Sequence, residues 1–202
     1  DTYYGGERIT STGHGFCGMS RKKLLLILQA RAKELVVRMH FEREVRSLAD
    51  LGTADLIVAA DGINSMVRAA HQDVFQAQLD WRQCKFAWFG TDKDLTAFTF
   101  VFAQTEHGLF QVHAYPFDRG LSTWIVECQE DTWRKAGLDR ADEATSVKFC
   151  EQLFADHLRG HRLLVNKSVW RSFPTVTCKT WRHGNIVLLG DAAHTAHFSI
   201  GS

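Results

Sequence analysis

The chain has 202 residues, of which 45% are hydrophobic and 11% aromatic, so it is long and apolar enough for a globular piece of one or two domains with an aromatic-rich core. Its 24 basic and 23 acidic residues leave a net charge of +1, which excludes a general attraction to nucleic acid or to anionic membranes. Five cysteines without a CxxC pair argue against a disulfide framework or a structural zinc site, and they fit a reducing cytoplasm.

The first part of the chain has α/β character. Ser20 precedes apolar residues at three- and four-residue spacing, a pattern that predicts a capped helix from Arg21 to Leu35 with one face on a core. We expect a strand or hairpin over residues 37–45, a strand over 55–60 and a short helix over 66–70. The aliphatic run within the first helix is far shorter than the ~20 residues that span a bilayer, and no signal peptide opens the chain.

From about residue 79 the pattern changes to alternating, aromatic-rich strands. The segments CKFAWFG, TAFTFVFAQ, LFQVHAYPF and LSTWIVEC, separated by turn signals, predict an antiparallel sheet. Because side chains alternate along a strand, Phe98, Phe100 and Phe102 share one face of their strand. In the next strand, Gln111, His113 and Tyr115 share a face. Helices are expected over 132–136 and 143–158, and strands near 169–173 and over 185–189.

Two junctions carry an acidic residue and a glycine after a buried strand. The last strand leads into GDAAHTAHFSIGS, which sets Asp191 at the carboxyl end of a strand, where open α/β sheets bind cofactors, with Gly190 and Ala192 small enough for close approach. Its carboxylate can accept a hydrogen bond from a sugar hydroxyl, and the alternative is a helix N-cap. The earlier junction, DLIVAA followed by DGINSMVR, has Asp61 and Gly62, for which the alternative is an ordinary turn.

Three stretches give the chain its resemblance to a known family: GHGFCGMSRKKLLLILQ, FTFVFAQTEHGLFQVHAYPF and GDAAHTAHFSIGS. Together with DGINSMVR, they resemble the flavoprotein aromatic hydroxylases related to p-hydroxybenzoate hydroxylase. The chain is similar in particular to the hydroxylases of aromatic acyl-CoA thioesters, such as those acting on salicylyl-CoA or 2-aminobenzoyl-CoA. Phe198 stands where much of the wider family has proline, a departure shared with the acyl-CoA subgroup.

The resemblance implies a fold and a domain organisation. We expect an α/β (α+β) architecture in which a partial, Rossmann-like FAD-binding layer is interleaved with an antiparallel sheet that forms a substrate domain. The FAD-binding parts are residues 1–78 and 183–202, and the substrate domain is 79–182. The chain shows no unit in which an apolar strand leads directly into a GxGxxG turn and a helix, since the GHGFCG at 13–18 follows no apolar run, so we expect it to be an internal fragment of a longer protein.

The resemblance also implies the chemistry. Reduced FAD activates oxygen for hydroxylation of an aromatic substrate, with NAD(P)H as a transient reductant and an aromatic acyl-CoA thioester as the expected substrate. Because the cofactor performs the redox step and the protein places the ring and excludes water, no catalytic acid or base is named. The fragment alone is expected to be inactive.

Roles of individual residues follow from the same likeness. Asp191 is expected to bind a ribose or ribityl hydroxyl, and the motif of Asp61 and Gly62 is expected near the pyrophosphate, where it affects pyridine-nucleotide use. Arg68 is expected to stabilise the turn of that motif. Arg21 matches a position close to the FAD, with an ordinary exposed arginine as the alternative.

Histidines and a tyrosine of the predicted sheet and of the last segment are further candidates. His113 and Tyr115 are candidates for lining the substrate cavity, and the alternative is a solvent-facing side of the sheet. His194 and His197 lack the glutamate of an HExxH pattern, so no metal site is expected, and His194 belongs to the flavin motif.

Other functions remain as alternatives. A reductase or halogenase of the same fold would keep the flavin and change the chemistry, although the chain has no WxWxIP stretch of the halogenase kind. As an isolated fragment, the chain is alternatively a binding domain without catalysis.

Overall fold

A computed structural model describes residues 1–196, which fall into two compact units, each assembled from two stretches of chain. Unit 1 comprises Asp1–Val37 and Gln83–Ser172, and unit 2 comprises Arg38–Arg82 and, of the described residues, 173–196. By its contacts, the stretch of the first 37 residues groups with the sheet-bearing stretch. The expected domain boundaries after residues 78 and 182 stay predictions.

Strands and short helices alternate through both units. The strands are β1 (Thr2–Tyr4), β2 (Glu7–Ile9), β3 (Ile57–Ala59), β4 (Gln78–Trp81), β5 (Cys84–Thr91), β6 (Thr99–Thr105), β7 (Gly108–Ala114), β8 (Pro116–Asp118), β9 (Leu121–Gln129), β10 (Leu163–Leu164), β11 (Pro174–Thr177), β12 (Arg182–His183) and β13 (Ile186–Leu188). The α-helices are α1 (Arg21–Glu34), α2 (Met66–Ala70), α3 (Gln72–Phe75), α4 (Glu130–Lys135), α5 (Glu143–Leu153) and α6 (Ala155–Leu158), with 3-10 helices at Leu48–Leu51 and Gly190–Ala192.

Unit 1 is organised around a sheet with the strand order β10-β5-β9-β7-β6-β1-β2, in which β8 also pairs with β9. All neighbouring strands are antiparallel except β1 and β6. The four longest strands lie where the alternating segments predict them, so the mixed α/β fold class with an antiparallel sheet is confirmed.

The two faces of this sheet differ. One face packs on α5 and α6. Alternation along each strand directs apolar side chains to this face, where they are buried against the helices. Its core contains Phe89, Val101, Phe110, Val112, Trp124, Val126, Phe154 and Leu158. The opposite face carries the two aromatic and polar sets expected from the sequence, because Phe100 pairs with His113 and Phe102 with Gln111. We call this second side the aromatic face.

Helix α1 forms where the sequence predicts it, and it is capped by Ser20, whose Oγ accepts a hydrogen bond from Lys23 N at 3.3 Å. The expectation that it packs on a core is wrong for the described chain, since none of its residues is buried. The run from Leu24 to Leu28 is exposed, because no described residue covers it. Within residues 1–196, no helix has the length and apolar character needed to cross a membrane.

Unit 2 contains a three-stranded sheet, β12-β13-β3, and a separate antiparallel pair, β11-β4. Strands β3 and β13 correspond to the predicted strands at 55–60 and 185–189 and pair in parallel. Their apolar residues pack with Val67 and Phe75 into a second core.

Two strand predictions fail. Residues 37–45 form no strand, because no described strand pairs with them and Glu42 has a left-handed φ of 54°, which breaks an extended conformation. Near 169–173 a single bridge joins Arg171 to Phe86, and regular pairing begins only with β11. The chain passes from unit 1 to unit 2 after Ser172, so its pairing partner changes there.

Candidate functional site

The two acidic turns lie side by side in unit 2. Strands β3 and β13 are parallel neighbours, with Ile57 opposite Ile186 and Ala59 opposite Leu188. The pairing continues past the strand ends, where Leu189 N donates to Ala59 O at 2.9 Å. Since both turns follow these strands directly, they emerge at the same carboxyl edge of the sheet, the edge at which open α/β sheets bind ligands.

In the first turn, Asp61 and Gly62 organise the backbone locally. Asp61 Oδ2 accepts a hydrogen bond from Val67 N at 3.2 Å, and Gly62 has a left-handed φ of 80°. Ser65 caps α2 by accepting a hydrogen bond from Arg68 N at 2.9 Å. The carboxylate of Asp61 therefore holds its own turn in shape.

The second turn is organised by its backbone and not by its acidic side chain. Gly190 has a left-handed φ of 61°, and its carbonyl accepts hydrogen bonds from Ala193 N and His194 N. Asp191 is exposed, while Ala192 is fully buried beneath it. The N-cap position belongs to Leu189, and within residues 1–196 no hydrogen bond reaches the Asp191 carboxylate, so the helix-cap alternative is not observed.

Arg68 ties the two turns together. Its side chain is buried, at 6% exposure, and Nη1 donates to Ala192 O at 2.8 Å and to Asp191 O at 3.4 Å. Nη2 donates to Ile63 O in its own turn. We call this set of hydrogen bonds the Arg68 clamp. The sequence predicts that Arg68 stabilises its own turn, and the structure adds the second turn, 124 residues further along.

Thr195 fixes the chain beyond the second turn, and sequence reasoning missed it. Its buried Oγ1 accepts a hydrogen bond from Val176 N at 2.7 Å and donates one to Pro174 O at 3.0 Å. The segment after Ala192 is thereby held against β11. No sequence pattern shows that a threonine hydrogen-bonds the backbone of a distant strand in this way. His197 and Phe198 lie outside the described residues.

Arg21 lies in unit 1 as the first residue of α1, and its side chain is exposed. This position is compatible both with the expected cofactor role and with an ordinary exposed arginine, so that role stays a prediction.

Aromatic side chains form a layer on the aromatic face of unit 1. Phe98 stacks on Tyr115 with a ring separation of 5.3 Å, and Phe16 from the N-terminal stretch meets both rings edge-on at 5.0 and 5.2 Å. Burial raises the pKa of the Tyr115 phenol, which keeps the hydroxyl protonated and able to donate a hydrogen bond. The rings of Phe98, Phe16 and Tyr115 thus form one aromatic cluster on this face.

A polar strip runs beside these rings. His113 is only 7% exposed, which does not fit the alternative of a simple solvent-facing strand. Glu127 is also buried, at 3% exposure, and Gln111 Nε2 donates to its Oε2 at 3.0 Å. Sequence reasoning placed Gln111 and His113 on one face and did not single out Glu127, which the strand pairing places opposite Gln111.

The N-terminal stretch approaches the sheet closely at Gly18. A Cβ on this glycine would lie 2.0 Å from Pro116 O, far inside van der Waals contact, so only glycine fits without a shift of backbone. The glycine of the GFCGMS segment therefore serves close packing.

No group of three or more His, Cys, Asp or Glu side chains within residues 1–196 is arranged to hold a metal ion. His194 lies beside the Trp181 ring at 6.4 Å.

Comparison with known protein families gives one match over almost the whole chain: the family described as FAD binding domain matches residues 5–201. Salicyloyl-CoA 5-hydroxylase of a Streptomyces species is 44% identical over 205 residues, which cover 98% of this chain and 40% of that protein. The 3-hydroxy-4-methyl-anthranilyl-[aryl-carrier protein] 5-monooxygenase of Streptosporangium sibiricum is 39% identical over 184 residues, 91% of this chain and 48% of that protein.

Solved structures show the same fold. The tetrameric form of 2-methyl-3-hydroxypyridine-5-carboxylic acid oxygenase superposes with a TM-score of 0.63 at 18% identity, covering 87% of this chain and 51% of that one. The chain thus spans about half or less of the length of the proteins that it matches.

Proposed function

Because the chain belongs to the FAD binding domain family, we propose that it is part of a flavin-dependent monooxygenase that hydroxylates an aromatic substrate. The observation that carries the proposal is the pair of turns on adjacent parallel strands, with the exposed carboxylate of Asp191 at their edge. In this proposal residues 1–78 and 183–202 contribute to the FAD-binding domain, and 79–182 form the substrate domain.

The residues of the second turn fit a dinucleotide. Gly190 has no heavy atom within 4 Å of a Cβ placed on it, and its left-handed backbone turns the chain sharply beside open space. Asp191 would accept hydrogen bonds from ribose or ribityl hydroxyls, and Ala192 would keep the turn compact. Asp61 and Gly62 would set the neighbouring turn near the pyrophosphate, and Arg21 would lie close to the same cofactor.

When bound, FAD supplies oxygen activation after reduction by NAD(P)H, which binds transiently. The chain's own tasks are to hold the cofactor, to orient the ring and to exclude water. The Arg68 clamp serves the first task, because it fixes the carbonyl of Ala192, the residue after Asp191, and so holds the turn from which the Asp191 side chain leaves.

The aromatic face is the proposed substrate surface. The rings of Phe98 and Phe16 offer stacking contacts, and Tyr115 and His113 are polar groups within reach of that layer. The relatives are named for aromatic acids joined to coenzyme A or to a carrier protein. We therefore propose an aromatic acyl-CoA thioester as the substrate.

The cellular setting follows the same reasoning. The five cysteines form no disulfide in the described chain, which supports the proposed location in the reducing cytoplasm. The balanced charge supports a small-molecule partner over nucleic acid or a membrane surface.

The test uses the protein expressed from its complete coding sequence. A yellow, FAD-containing protein should oxidise NAD(P)H only when an aromatic thioester is present and should release a product that carries one additional ring oxygen. The free acid should be turned over far more slowly than its CoA thioester. Substrate reduction without oxygen incorporation would favour a reductase, and chlorination in the presence of chloride would favour a halogenase. Either result would reject hydroxylation.

A further inference from the structure

A cavity of about 230 Å³ lies in unit 1, on the side of the sheet opposite the aromatic face. Val101 and Trp124, which line this cavity, belong to the core that packs on α5 and α6. Tyr3 of β1 and His157 of α6 form further walls, and their rings meet edge to face at 5.0 Å. Cavities that hold drug-sized ligands begin at about 300 Å³, so this one admits only a small molecule.

The most deeply buried of the cavity residues carries an unpaired hydrogen-bond donor. Trp124 is 1% exposed, and within residues 1–196 no atom accepts a hydrogen bond from its indole Nε1. An indole N–H can only donate, and burying a donor without an acceptor is costly. A molecule in the cavity that supplies an acceptor oxygen would satisfy this group.

Positive charge lines the same cavity. Lys93 is half-buried, and its Nζ donates a hydrogen bond to the carbonyl of His157 in α6. Burial and the nearby charge of Arg159 lower the pKa of the Lys93 amino group. Because these two cations repel each other beside the cavity, a negative charge bound there would be attracted by both.

Acidic residues also line the cavity, but they lie at its exposed side or are engaged elsewhere. Asp94 and Asp156 are exposed. The Asp1 carboxylate accepts hydrogen bonds from Arg8 Nη2 at 2.9 Å and from Thr10 Oγ1 at 2.7 Å. These carboxylates balance part of the positive charge, so the cavity suits a ligand with one negative charge better than the double charge of phosphate.

We propose that this cavity binds a small monocarboxylate, which accepts a hydrogen bond from Trp124 Nε1 and pairs with the charge of Lys93, with Arg159 at the exposed side. The rings of Tyr3 and His157 offer edge and face contacts to an acid with an aromatic body. The cavity and the proposed substrate surface lie on opposite faces of the sheet. The proposal therefore does not depend on the proposed function.

The first experiment follows the indole N–H of Trp124 directly by NMR. The protein from the complete coding sequence, labelled with an isotope in its tryptophans, is titrated with benzoate. The resonance of Trp124 is the one that is missing from the spectrum of Trp124→Phe. We expect it to move downfield to a plateau with benzoate and to stay in place with benzamide, the uncharged analogue. A resonance that benzoate does not move overturns the proposal, and one that inorganic phosphate moves at lower concentration overturns the choice of a monocarboxylate.

Two further variants test the cations by calorimetric titration with benzoate and do not rely on Trp124→Phe. Lys93→Met removes the half-buried charge and should lower the benzoate affinity by about tenfold or more. Arg159→Gly removes an exposed charge and should lower it by about threefold. Arg159 has a left-handed φ of 53°, which glycine adopts without strain, so this variant should unfold at the wild-type urea concentration or above it.

Lys167→Gly is the matched control for Arg159→Gly. Lys167 is an exposed basic residue of unit 1 with a left-handed φ of 55°, and it does not line the cavity. Its replacement should affect unfolding as Arg159→Gly does and should keep the benzoate affinity. Wild-type benzoate affinity in Lys93→Met or in Arg159→Gly, or an equal loss in Lys167→Gly, overturns the proposal. A protein that hydroxylates no aromatic thioester overturns only the proposed function.

Discussion

The Arg68 clamp gives a sharp test of how the two turns are held together. Arg68→Met keeps an unbranched side chain that fills the space of the arginine stem and removes the guanidinium, so the carbonyls of Ile63 and Ala192 lose their donor. The contact to Asp191 O, at 3.4 Å, is long and contributes little. The change therefore acts through two hydrogen bonds from one buried charge.

The magnitude follows from those two bonds. Hydrogen bonds to charged groups contribute about 1.5–3 kcal/mol each, and relief from burying the guanidinium offsets part of the loss. We expect a net destabilisation of about 3 kcal/mol. With a slope of about 2 kcal/mol per M urea, the unfolding midpoint should fall by about 1.5 M.

Two variants calibrate the result. Arg68→Lys keeps the charge but loses the planar fork that reaches both turns, so it should recover only part of the stability. Arg182→Met, at an exposed position in the same unit, should change the free energy of unfolding by no more than about 0.5 kcal/mol. FAD affinity, measured by fluorescence titration, should fall in the same order of variants as the free energy of unfolding. If Arg68→Met unfolds at the wild-type urea concentration and binds FAD normally, the clamp does not hold the site.

Three further substitutions test separate features, each measured by urea unfolding of the complete protein. Gly18→Ala places a methyl group against Pro116 O and should lower the free energy of unfolding by about 1–3 kcal/mol. Gly15→Ala, with open space around it, should leave the free energy of unfolding unchanged, and equal effects of the two variants would argue against close packing. Thr195→Val removes a buried hydroxyl that forms hydrogen bonds with two backbone groups, so it should lower the free energy of unfolding by about 2 kcal/mol. Thr177→Val, at an exposed position of β11, should change the free energy of unfolding little. A neutral Thr195→Val would contradict the role of Thr195 in fixing this segment. Asp191→Ala should weaken FAD binding in a fluorescence titration by about tenfold or more with unfolding unchanged, and a variant that binds FAD as wild type would remove this residue from the site.

The sequence predicts those parts of the fold that depend on local periodicity. The alternation in β5, β6, β7 and β9 reflects a sheet with one face packed on helices, and a period of two expresses that directly. The prediction that α1 packs on a core was wrong for the described chain. Periodicity shows which side chains of a helix are apolar, but it does not show which other element packs against them. Residues 37–45 alternate without forming a strand, since no partner strand pairs with them in the described chain.

The candidate site divides in a similar way. Asp61 and Asp191 are visible in the sequence because each follows an apolar strand and adjoins a glycine, a local pattern with a physical cause. The double reach of Arg68 and the tie through Thr195 depend on contacts between distant segments, and no local pattern encodes them. Glu127 lies between these cases: its face follows from alternation, whereas its burial depends on its neighbours across β5 and β7.

The parallel pairing of β3 with β13 sets an order of assembly. During synthesis on the ribosome, β3 emerges well over a hundred residues before its partner, and strands β5 to β10 of unit 1 are made in between. Closing so long a loop carries an entropic cost that only a folded intervening segment reduces. The carboxyl edge shared by β3 and β13 is therefore completed late, after the intervening sheet has formed, and a nascent chain stalled before residue 186 would expose β3 as an open edge.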